Sequence, residues 1–185
     1  KNILQKRIKL LYLNPNYQNP TSQTISLSRR RELIELCKKY EIPIIEDDVF
    51  ADFDFTTPLP TLKQLAPEQV IYLGSFSKLF SSRIKIGWIY ASDPLIKRLM
   101  LTKQQTEQET ELFPQLLATS VLTANNYPMK HQQLRNQLMQ RRDYFVEGMD
   151  SLKEFWSYEA IQGGLYYWVT WRGDSLSRTQ WGLFL

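Results

Sequence analysis

The sequence predicts an α/β fold built on a mostly parallel sheet flanked by helices. Three observations point there. Short apolar runs alternate with helical stretches along the first half of the chain. Several of those runs are apolar at consecutive positions, as in strands covered on both faces. Each run stops at a loop dense in Asn, Asp, Ser or Pro. Strand, helix, strand, crossover, strand in this order is the pattern of a parallel sheet.

Ile8–Leu13 is the first strand, ending at the loop Asn14-Pro15-Asn16-Tyr17-Gln18-Asn19-Pro20-Thr21. Ser26 or Ser28 offers an N-cap for a helix through about Tyr40. Leu33, Leu36, Cys37 and Tyr40 recur at helical spacing on one face, with Arg29, Arg30, Glu35 and Lys38 largely elsewhere. Cys37 on that stripe reads as a packed core thiol. Pro43 closes the unit, and Ile42–Ile45 begins a second strand that runs into Glu46-Asp47-Asp48. Residues 52–67 hold three prolines and no period, and are expected to be a loop. Val70–Leu73 is a third strand, followed by Gly74-Ser75-Phe76-Ser77-Lys78. Ile84–Tyr90 is a fourth, with Ile84, Ile86 and Trp88 on one face. Helices follow at Leu95–Gln105, Leu112–Ala124 and Pro128 to about Leu152, with a polar connection over Lys103–Glu111 between the first two. The charges of the third helix, Arg135, Arg141, Arg142 and Asp143, are expected on a solvated face. Gly163–Val169 reads as a strand entered through a Gly-Gly turn. The change from helix to strand near residues 150–160 suggests a second subdomain.

The 185 residues are 43% hydrophobic and 23% charged, which excludes wholesale disorder. This length allows one domain, or one domain and part of a second. No apolar run approaches the roughly 18 residues of a bilayer span. The single Cys37 excludes an internal disulfide framework and a multi-Cys zinc cluster. The single His131, in a polar helical stretch, argues against a His-rich metal site and a Ser-His-Asp triad. A reduced, cytoplasmic compartment is expected. The net charge of +4 is scattered and gives no basis for nucleic-acid binding. The N-terminus has no signal-peptide pattern, and the apolar end Trp181–Leu185 is unlike a frayed terminus. The expectation is an internal piece of a longer protein.

In open parallel sheets, ligands bind beyond the carboxyl ends of the strands. If the first three strands are parallel neighbours, that edge gathers Asn19, Asp47, Asp48, Ser75, Ser77 and Lys78. An amine beside small hydroxyl residues can attack a carbonyl while the hydroxyls seat a phosphate. A carboxylate at the neighbouring strand end can hold a protonated ring nitrogen. Together these fit a pyridoxal 5'-phosphate (PLP) site. The spacing of a nucleotide phosphate loop is absent around Gly74–Lys78.

Four ordered motifs carry a family resemblance over residues 8–172: Asn14–Thr21, Ile44–Phe50, Leu73–Lys78 and Ile86–Ile89. The chain resembles the class I/II aminotransferases of PLP fold type I. In motif form it is most similar to the aminotransferase-like domains of MocR regulators in the GntR group. The resemblance implies part of the PLP-binding large domain over residues 1–127 and the start of a small α+β C-terminal domain over 128–185. By the same resemblance, Lys78 forms the Schiff base and shuttles the proton, and Asp47 holds the pyridine nitrogen. Asn19 bonds the ring's 3-oxygen, and Ser75, with Ser77 as a helper, binds phosphate. Lys85 stands where the family carries a phosphate-binding arginine. The implied reaction moves an amino group between an amino acid and a 2-oxo acid. The implied alternative is the PLP-binding effector domain of a regulator, with DNA as a partner only if a helix-turn-helix domain lies upstream. An inactive remnant of either is the third reading. A homodimer is expected of the full-length protein, and no membrane.

Three departures stand out. Phe50 replaces a tyrosine that donates to the 3-oxygen. Lys85 replaces the arginine fork by a point charge, with Arg83 on the same face of the strand. Ser22 stands where the family has glycine, which matters if the turn needs a positive φ. The upstream phosphate turn and stacking aromatic, and the downstream arginine that clamps the substrate carboxylate, have no counterpart. Arg172 and Arg178 match neither, whereas Gly163–Val169 matches the Gly-Gly-x-Phe/Tyr-x-Trp strand that precedes the clamp.

Overall fold

The computed structural model describes residues 8–81, 83–106, 109–175 and 177; Arg178 and the apolar end at Trp181–Leu185 lie outside them. Four strands form one sheet in the order β1 (Leu11–Leu13), β2 (Ile44–Asp47), β3 (Val70–Ser75), β4 (Gly87–Tyr90). The first three are parallel, in register Leu13 to Glu46 and Glu46 to Tyr72, so their carboxyl ends share one edge as expected.

Helix α1 (Leu27–Lys39) connects β1 to β2, and Ser26 is its N-cap, its hydroxyl accepting the Arg29 N–H. The buried stripe of α1 differs from the expected one. Arg30, Ile34 and Cys37 are buried, while Leu36 faces solvent. Cys37 is 2% exposed and burial raises its thiol pKa, as a packed thiol requires. Ile34 and Cys37 pack with Ile42, Ile44, Leu62 and Val70 in the core beneath the sheet.

Residues 52–67 are not wholly loop. A 3-10 turn spans Ala51–Phe53 and a one-turn helix, α2, spans Leu62–Leu65. Thr61 and Gln64 close a capping box on α2, a helix too short to show a sequence period. The fourth strand is shorter than expected and antiparallel to β3. Ile84 instead closes a turn: its N–H bonds to Ser81 and its carbonyl takes the Ser77 hydroxyl. The short return from Ser75 to Gly87 favours an antiparallel neighbour, since a parallel crossover needs a dozen or more residues.

Helices α3 (Asp93–Thr106), α4 (Leu112–Leu122) and α5 (Tyr127–Asp150) follow. The charges of α5 are not all solvated. Arg135 donates to the Asp54 carbonyl at 2.9 Å and to its carboxylate at 2.7 Å. Arg142 pairs with Asp143 and lies 5.3 Å from the Phe55 ring centroid. The helix thus pins the segment that follows β2. No helix among the described residues is long and apolar enough to cross a membrane.

A second, two-stranded sheet pairs β5 (Trp156–Tyr158) with β6 (Val169–Trp171), antiparallel. The expected strand over Gly163–Val169 is therefore displaced to its end, and β5 was not anticipated. Gly163 bridges to Asp54, and the Gly164 N–H donates to the Phe53 carbonyl. A Cβ on Gly163 would sit 2.5 Å from the Tyr17 ring and 2.6 Å from the Phe53 carbonyl oxygen. Gly164 holds a φ of +89°. The pair lets the late strand region approach the Tyr17, Phe50 and Phe53 cluster. Gly163→Ala is expected to cost about 1–3 kcal/mol by overpacking, read as a lowered thermal midpoint. An unchanged midpoint would remove this account of the double glycine.

Candidate functional site

The loop after β1 is held from below. Ile25 N–H returns to the Pro15 carbonyl at 2.9 Å, and Gln18 N–H bonds the Gln23 carbonyl at 3.0 Å. Asn19 is exposed within it and joins Pro20 through a cis peptide. Ser22 does need the positive φ: it adopts +54°, and its hydroxyl donates to the Tyr166 carbonyl at 2.6 Å. Arg30 is fully buried and donates to the carbonyls of Ile25 and Pro60, each at 2.9 Å, and to the Asn16 side-chain oxygen. Asn16 in turn donates to Asp48 at 2.8 Å, and the Tyr72 hydroxyl meets the other Asp48 oxygen at 2.9 Å. Burial raises the Asp48 pKa although both bonds favour its carboxylate. Burial, with Asp48 adding to it, pushes the Tyr72 phenol upwards too.

Asp47 ends β2 on the opposite face from Asp48. Its backbone carbonyl accepts from the Asn14 amide at 2.8 Å, and its Oδ2 accepts from the Tyr12 hydroxyl. Its Oδ1 is buried with no hydrogen-bond partner. Lys78 follows β3 in an exposed turn, its Nζ 6.0 Å from the Phe50 ring centroid, a cation–π distance. Phe50 is buried, edge-on to Tyr166 at 5.9 Å. Ser75 Oγ accepts the Ser77 N–H at 3.2 Å and keeps its own proton available. The Ser77 hydroxyl proton is already engaged by the Ile84 carbonyl at 2.5 Å. Arg83 and Lys85 precede β4 and so do not share a strand face as expected, but they line one cavity of about 510 Å³ together with Trp88 and Lys103.

The structure therefore joins Asp47 to the Asn-rich loop through Asn14, and sets Lys78 beside Phe50. It shows no direct contact from Asn19 or Lys85 to Asp47. Tyr12, Asn14, Asn16, Arg30 and Tyr72 were not singled out from the sequence. Only Tyr12-x-Asn14 carried a signal: residues two apart on one strand share a face.

These residues fit PLP. A buried carboxylate oxygen without a donor suits a protonated ring nitrogen, and an exposed amine suits the aldehyde. The Ser75 hydroxyl suits a phosphate, whereas the cavity that holds Arg83 and Lys85 is lined by neither Ser75 nor Lys78.

Comparison with known proteins decides the family. The model of aminotransferase class I and II matches residues 1–181. The chain belongs to the class I and II aminotransferase family. Among curated family relatives, the HTH-type transcriptional regulator NorG of Staphylococcus aureus is 30% identical, over 90% of this chain and 38% of its own. The uncharacterized HTH-type regulator YisV of Bacillus subtilis is 38% identical, over 88% of this chain and 34% of its own. The chain thus spans little more than a third of these relatives. LysN, the alpha-aminoadipate aminotransferase of Thermus thermophilus, was crystallised with N-(5'-phosphopyridoxyl)-L-leucine. It superimposes with a TM-score of 0.83 at 26% identity, over 91% of this chain and 45% of LysN. The α/β fold, with its mostly parallel sheet, is therefore a fragment of the PLP aminotransferase fold.

Proposed function

We propose that this chain forms the lysine-bearing part of a PLP-dependent aminotransferase that moves an amino group between an amino acid and a 2-oxo acid. The observation that carries this reading is Asp47, whose unpartnered Oδ1 ends β2 on the strand-end edge that also leads to Lys78. When bound, PLP supplies an aldehyde for amines and a protonated ring that accepts electron density. Lys78 would be the amine held for that aldehyde and the group placed to carry a proton. Asp47 Oδ1 holds the proton on the ring nitrogen. Asn19 serves the 3-oxygen alone, because Phe50 has no hydroxyl to share the task. Ser75 donates to the phosphate with Lys85, whose point charge is joined by Arg83. Ser77 supports this turn through its bond to Ile84.

The reading divides the chain into part of the PLP-binding domain at 1–127 and the start of a smaller domain at 128–185; the separate β5–β6 sheet supports it. It also includes a homodimer of the full-length protein, supported by the exposed Leu112, Phe113 and Leu116 of α4, and a cytoplasmic location.

Borohydride reduction of the PLP-loaded protein, followed by peptide mapping, is the test. The pyridoxyl mass is expected on Lys78. Its appearance on another lysine, or on none, would overturn the assignment.

A second reading is favoured by the names of NorG and YisV: a PLP-binding effector domain of a DNA-binding regulator. Both readings need Lys78 and Asp47. They separate on the intact protein: 2-oxo acid formation from amino acids supports the enzyme, and DNA retention through an upstream helix-turn-helix supports the regulator.

A further inference from the structure

We propose that Tyr12 is a positioning residue for Asp47. Its hydroxyl occupies one carboxylate oxygen and so leaves the other as the sole acceptor for the ring nitrogen of PLP. The inference rests on the assignment of Asp47 above.

The register places the pair. Tyr12 is opposite Ile45, and Asp47 lies two residues further along β2 on the same face. A tyrosine reaches such a diagonal neighbour with its para oxygen. The bond is made: the Tyr12 hydroxyl donates to Asp47 Oδ2. Two residues on, Asn14 fixes the Asp47 backbone by donating to its carbonyl at 2.8 Å. β1 and the first residue of the loop after it therefore hold both ends of the aspartate. Free to rotate, a carboxylate offers two equivalent oxygens; held by Tyr12, it offers one.

The unused atoms point the same way. Among the described residues, four buried side-chain polar atoms lack a partner, and two of them, Asp47 Oδ1 and Asn14 Oδ1, belong to this bonded pair. Such atoms are rare in folded proteins and call for a donor. The bond to Asp47, then burial, push the Tyr12 phenol up to about 12, so it stays protonated and donating at neutral pH.

Tyr12 is 58% exposed, so Tyr12→Phe removes the hydroxyl without opening the core. The intact protein and this variant are titrated with PLP and with its deaza analogue, in which CH replaces the ring nitrogen. The variant is expected to bind PLP about tenfold more weakly, the scale of one charge-assisted hydrogen bond, and to bind the analogue unchanged. Equal losses for both ligands, or no loss for PLP, overturn the positioning role while leaving the Asp47 assignment intact. If the unmodified protein itself binds the two ligands alike, or takes up neither, the Asp47 assignment falls and the role of Tyr12 falls with it.

Discussion

Replacing Arg30 with methionine is expected to lower folding stability by about 3–5 kcal/mol, the range for removing one partner from a buried charged network. The guanidinium has no solvent exposure, and burial pulls its pKa down against the opposing pull of Glu46 and Asp48. What keeps it there is a set of acceptors from three segments: Ile25 before α1, Pro60 before α2, and Asn16 after β1. Methionine fills the stem and abandons the fork. The Asn16 side-chain oxygen then stays buried without a donor, which costs about 1–3 kcal/mol, and the part-buried carbonyls of Ile25 and Pro60 lose theirs as well. Arg30→Lys should recover less than half of the loss, because one ammonium cannot face three segments as a planar fork does. Urea unfolding measures both variants, with a shifted midpoint at constant slope. A loss below about 1 kcal/mol, the scale of an exposed ion pair, would sink the claim.

Arg30 also marks the limit of what the sequence discloses. Its charge assigns it to the wet side of α1, and helical spacing puts the apolar stripe through Leu33, Leu36, Cys37 and Tyr40. The true stripe runs through Arg30, Ile34 and Cys37. Nothing in the local spacing announces acceptors that lie up to thirty residues away at Pro60. The three parallel strands were legible from consecutive apolar residues such as Ile44-Ile45 and Val70-Ile71, although the structure fully buries only Ile44 and Val70 of these and leaves the other face half-covered. β4 was legible as a strand but not in its direction, which depends on the length of the return from β3. The Arg135–Asp54 contact spans 81 positions and was equally hidden.

The site divides along the same line. Lys78, Asp47 and Ser75 were legible as candidates because residue type and order carry the chemistry proposed for them. Tyr12, Asn14, Asn16 and Tyr72 were not, because their roles depend on the register across β1, β2 and β3. A tyrosine within Leu11-Tyr12-Leu13 looks like ordinary strand filling until Asp47 is found diagonal to it.

Glu46→Ala is expected to cost about 3 kcal/mol, from a lost cap and a small cavity together. Glu46 has no solvent exposure, and its two oxygens accept the N–H groups of Leu62 and Lys63, each at 2.8 Å, at the start of α2. Alanine leaves both donors buried and unpaired. The charge has a second consequence. Burial raises the Glu46 pKa more than those two N–H bonds lower it, and burial likewise raises Asp48. The folded state therefore binds these protons more tightly than the unfolded chain does. Their stabilising contribution is complete below the ordinary carboxylate values near ~4 and is lost as pH rises through the folded values. Melting temperature is thus expected to rise as pH falls from about 7 towards about 5, before other carboxylates titrate. Glu46→Gln keeps an oxygen for the Leu62 N–H but cannot titrate, so its profile over that window should be flatter. Parallel profiles for the two proteins would show that desolvation of Glu46 does not govern the slope. A wild-type melting temperature that falls throughout the window would show the opposite sign, with the helix-capping bonds outweighing burial.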